Sequence, residues 1–106
     1  MSNDGFNGSM TIDELVKEAH GTAIDKGWWI YPRTALEIHA LIHSEVAEAT
    51  EAARVGKPGL QLEELADAVI RIADYCGYRQ WDLAQAIAVK MAHNKTRPFR
   101  HGNKLI

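Results

Sequence analysis

The chain has 106 residues, 46% apolar and 25% charged, with a formal net charge of −2 and a single cysteine. That is an ordinary globular composition at single-domain length, and it lacks the basic excess that a general nucleic-acid binder needs. One thiol, Cys76, excludes an intramolecular disulfide, and no apolar run approaches the ~20 residues of a membrane span, so a cytoplasmic protein with neither a nucleic-acid polymer nor a membrane as partner is expected.

Residues 1–10 are rich in Ser, Asn, Asp and Gly and contain no apolar segment. They read as a disordered leader and not as a secretory signal. The rest, 11–106, reads as one helical domain with a basic tail. Thr11-x-x-Glu14 has capping-box form, and Ile12, Leu15, Val16, Ala19, Ala23 and Ile24 follow at helical spacing. Gly27 is expected to end this helix. His20 lies beside its apolar stripe and reads as a boundary core residue. Gly27-Trp28-Trp29-Ile30-Tyr31-Pro32 is an aromatic connection. It suits either a plug over the end of a helical bundle or a stacking platform for a nucleobase.

A second helix is expected from about Pro32 to Val55, stopped by Gly56-Lys57-Pro58-Gly59. Ile38, Leu41, Ile42, Val46, Ala49, Ala52 and Ala53 form its apolar sector, with Glu45 and Glu48 along one edge. His39 and His43 project to the far side with no third ligand and read as surface or interface histidines. A third helix is expected from Leu60 to Cys76, with Gly77 as its C-terminal stop. Leu62, Leu65, Val69, Ile72, Ala73 and Cys76 make its core stripe, flanked by Glu64 and Asp67. Arg71 lies between Asp67 and Asp74 and is placed to neutralise part of the acidic cluster. A fourth helix is expected from Trp81-Asp82 to Lys95, with Asp82 as cap and Leu83, Ala86, Ile87 and Met91 facing the core. Lys90, Asn94 and, if the helix persists, Arg97 recur on one side. Two cations and an amide in a row can hold an oligophosphate, but taken alone they read first as a solvated last turn favoured by the helix dipole. No strand pattern, internal repeat, Gly-rich phosphate loop or nucleophilic triad interrupts the order.

The chemistry concentrates in Glu45-x-x-Glu48, a gap of fifteen residues, and Glu64-x-x-Asp67. Carboxylates three apart stack on one helix face. Two such pairs on neighbouring helices repel one another unless a cation joins them, and oxygen-only donors suit a hard ion such as Mg²⁺, or Mn²⁺ in its place. The Glu-x-x-His pairs of ferritin-like di-iron bundles are missing.

With the later Lys90-x-x-x-Asn94-x-x-Arg97, and the words Glu63-Glu64-Leu65-Ala66-Asp67-Ala68-Val69-Ile70-Arg71 and Asn94-Lys95-Thr96-Arg97-Pro98-Phe99-Arg100-His101-Gly102, the chain resembles the MazG-type all-α nucleoside triphosphate pyrophosphatases from about Thr11 to Lys104. The resemblance implies a four-helix MazG-like bundle, assembled as a dimer or dimer of dimers with sites completed across the interface. It implies Mg²⁺-dependent hydrolysis of a (deoxy)nucleoside triphosphate to the monophosphate and pyrophosphate, in nucleotide-pool control or house-cleaning. On this resemblance Glu45, Glu48, Glu64 and Asp67 are the metal ligands. Lys90, Asn94 and Arg97 contact phosphate or sugar, Trp28 walls the base pocket, and Glu48 or Asp67 orients or deprotonates the attacking water. The family often carries a further acid just before Glu45, where this chain has Ser44. That leaves the four-carboxylate set whole and removes any role for the extra acid. The alternative is a non-catalytic nucleotide- or metal-binding helical module.

Overall fold

The computed structural model describes residues 8–100 and Leu105. Residues 1–7 of the expected leader and most of the basic tail beyond Arg100 lie outside that range. The described chain is all-helical, with α1 over Ile12–Asp25, α2 over Ala35–Arg54, α3 over Pro58–Arg79 and α4 over Leu83–Lys95, and no strand among the described residues. None of these helices is long and apolar enough to cross a membrane.

Local chemistry sets most of the boundaries. Thr11 and Glu14 form the expected reciprocal capping box, with Thr11 N to Glu14 Oε1 at 2.7 Å and Glu14 N to Thr11 Oγ1 at 3.0 Å. Thr34 and Glu37 form a second box, at 2.8 and 3.1 Å, so α2 begins at Ala35 and not at Pro32. Gly27 and Gly56, both at positive φ, close α1 and α2. In each case the next amide reaches back to a carbonyl of the last turn, Trp28 N to Ala23 O at 3.0 Å and Lys57 N to Ala52 O at 2.9 Å. Asp82 caps α4 as expected, accepting from Gln85 N at 3.0 Å.

The expected end of α3 is corrected. The helix passes through Gly77 and runs to Arg79, ending on Gln80 at φ 59°. Gly77 has a packing role instead. A Cβ there would lie 2.7 Å from His20 Cβ and 3.3 Å from Val16 Cγ1. The bare glycine is what lets α1 lie against α3 at this height.

α3 is the central element, packing on both α2 and α1, while α4 rests on α1 and buries no residue of its own. Among the described residues, five of the eight buried apolar ones are alanines: Ala23, Ala49, Ala52, Ala68 and Ala73. Small side chains bring helix axes close together. Much of the expected core stripe of α3 is open in the single chain. Leu62 is 69% exposed and Val69 50%, with Leu65 and Ile72 also exposed, while Ala68, Ala73, Tyr75 and Cys76 are buried.

Candidate metal centre and adjoining cavity

Three of the four expected ligands converge. Oxygen atoms of Glu45, Glu48 and Glu64 all lie within 4.8 Å of one another. The cause is a short helix hairpin. Ala49 and Ala52 of α2 are buried beside the acidic edge, which lets Glu64 of α3 reach the pair on α2. Asp67, one turn along α3, stands outside that trio and lines the neighbouring cavity with Glu45.

Crowding shows in the titration of Glu64, which is pushed up to about 7. A hydrogen bond with Glu48 is the largest cause, followed by desolvation and by the charges of Glu48, Asp67 and Glu45. The cluster holds more negative charge than the chain neutralises. Arg71 supplies part of the compensation, donating from Nε to Glu45 Oε2 at 3.1 Å. A trio of carboxylates with a surplus of charge is a donor set that fits a hard divalent cation.

Beside the trio lies a cavity of about 510 Å³ between α1, α2 and α3, a size suited to a small-molecule ligand. Glu45, Asp67, Arg71, Trp28, Trp29 and Asp74 are among the residues that line it. Trp28 is flanked by cations, with the guanidinium groups of Arg33 and Arg71 each 5.5 Å from its ring. Arg33 Nε also donates to the Trp28 carbonyl at 3.1 Å. Trp29 is the more tightly fixed of the two. It stacks on Tyr78 with centroids 3.9 Å apart and 7° between planes, and its indole Nε1 donates to Asp74 Oδ1 at 2.8 Å. His20, expected as a plain boundary residue, also meets Asp74 Oδ1 through Nδ1 at 2.8 Å.

Lys90 and Asn94 stand exposed on α4, and Arg97 lies past its end, with its amide 3.3 Å from the Asn94 carbonyl. None of the three lines the cavity of its own chain. His39 and His43 are exposed, and His39 makes an edge contact with Tyr75 at 6.1 Å. The residues that sequence reasoning did not assign to the site are Trp29, Tyr78, His20, Asp74 and Arg33. Only the doubled tryptophan hinted at them, because their contacts span up to 54 positions of chain. Compared with protein-family models, curated proteins and solved structures, the chain matches none.

Proposed function

We propose that the protein is a Mg²⁺-dependent nucleoside triphosphate pyrophosphatase of MazG-like architecture, cleaving between the α- and β-phosphates to give monophosphate and pyrophosphate. The observation that carries this reading is the Glu45–Glu48–Glu64 trio, which adjoins an aromatic-walled cavity through Glu45, a residue of both. A bare acidic face would lack the adjoining chamber.

Glu45, Glu48 and Glu64 hold the cation in this reading, with Asp67 beside them. A magnesium ion bound there supplies charge neutralisation and Lewis acidity at the triphosphate. Glu48 is engaged with Glu64, so Asp67, exposed in the cavity wall, is the carboxylate free to orient or deprotonate the attacking water. Trp28 and Trp29 wall the base, stacking being worth ~1–3 kcal/mol per base. Lys90, Asn94 and Arg97 stabilise departing pyrophosphate from a second copy of the chain, since none reaches its own cavity. The open seam of Leu62, Leu65, Val69 and Ile72 is the surface on which that copy packs, giving a dimer or a dimer of dimers.

Turnover of a triphosphate panel by Glu48→Gln and Asp67→Asn tests the assignment. Each is expected to lose on the order of a hundredfold or more in rate while circular dichroism shows unchanged helix content. Near-native turnover in either removes that residue from the site. Nucleotide binding without turnover in the native chain transfers the reading to a sensor module.

A further inference from the structure

Asp74 occupies a position that the hydrolytic chemistry does not use. It sits on α3 in the cavity wall, with its side chain 18% exposed. Both of its donors, His20 Nδ1 and Trp29 Nε1, engage the same oxygen, Oδ1, at 2.8 Å. A carboxylate can only accept, so His20 carries its proton on Nδ1. Among the described residues nothing donates to Oδ2. The carboxylate is therefore clamped from two sides with one acceptor left over.

Its surroundings are those of a flat ring. Trp29 is fixed by Tyr78 behind it and by Asp74 at its edge, and it lines the same cavity. Asp67, at the phosphate end, is seven residues earlier on the same helix, about 10 Å along its axis. That separation matches the reach from the α-phosphorus of a nucleotide to the exocyclic edge of its base.

We propose that Asp74 reads the base, Oδ2 accepting a hydrogen bond from an exocyclic amino group. The cavity then selects a 4-aminopyrimidine or 6-aminopurine over the keto analogue. A keto base would turn its carbonyl oxygen toward the carboxylate, leaving both acceptors without a donor. The inference rests on the nucleotide reading above. Discrimination follows from the loss of one hydrogen bond to a charged group, roughly ten- to a hundredfold.

Two matched pairs of non-hydrolysable α,β-methylene triphosphates, cytosine against uracil and adenine against hypoxanthine, are titrated calorimetrically into the intact chain with Mg²⁺. The amino member of each pair is expected to bind roughly ten- to a hundredfold tighter. An N4,N4-dimethylated cytosine analogue, which keeps the ring and loses both donors, should bind like the uracil compound. In Asp74→Asn the amide oxygen still accepts from His20 and Trp29, so its NH₂ group faces the cavity and the preference should invert toward the keto member. Equal affinity within both pairs, or an unchanged ratio in Asp74→Asn, overturns the assignment while the nucleotide reading stands. Failure of every analogue to bind overturns both.

Discussion

Glu64 is hydrogen-bonded to Glu48, and the charges of Glu48, Asp67 and Glu45 all act on it. Its folded pKa lies near 7, above the ordinary 4.5, so the folded state holds its proton more tightly than the unfolded chain does. The stabilisation is complete below about pH 4.5 and is lost as pH rises through 7. In the proposed reading a divalent cation bound there would compete with this proton for the same oxygens. The expected result is that millimolar Mg²⁺ raises the melting temperature more at pH 8 than at pH 5.5, and that Glu64→Gln abolishes the difference. Thermal melts at the two pH values, with and without the metal, check it. An equal Mg²⁺ effect at both pH values contradicts a site built on Glu64. Arg71 already occupies part of this field through Glu45, so the cluster is only partly unbalanced before a cation arrives.

At the scale of elements, Gly77 carries the sharpest expectation. Alanine there gains up to ~1 kcal/mol of helix propensity but drives a methyl group onto His20 Cβ, 2.7 Å away. Overpacking costs of about 1–3 kcal/mol outweigh that gain, so Gly77→Ala should destabilise by about 1–2 kcal/mol in urea unfolding. A stabilised variant would mean that α1 and α3 are not held at this distance. The same glycine shows where sequence reasoning stops. A Gly after an apolar stripe reads equally as a helix stop or as a close-approach point, and only a partner helix decides between them. Four helices, the Thr11 box, the glycine ends of α1 and α2 and the Asp82 cap were legible because each depends on residues a few positions apart. Thr34-x-x-Glu37 has the same capping-box spacing as Thr11-x-x-Glu14 and lies two residues after Pro32, an alternative helix start. The convergence of Glu45, Glu48 and Glu64 followed from helical spacing and one short hairpin. The His20–Asp74–Trp29 cluster was not legible, because no local pattern joins residues on three separate elements.

Over the whole molecule, hydrophobic periodicity located an apolar face on α3 without saying what covers it. Leu62, Leu65, Val69 and Ile72 are open in the single chain, and α4 has no buried residue. A face of that kind is stable in water when it meets another surface. Sedimentation at micromolar concentration should give a mass at least twice 11.8 kDa. Val69→Glu should shift it toward the single chain, and should remove turnover with it if Lys90, Asn94 and Arg97 act from the second copy. A native chain that sediments as a monomer and still turns over triphosphate contradicts the shared site.

The most direct test of the central claim is the identity of the products formed from a panel of dNTPs and NTPs, with and without Mg²⁺. Nucleoside monophosphate and pyrophosphate, formed only with the metal, are expected. Diphosphate and orthophosphate would place the attack at the wrong phosphorus and contradict it.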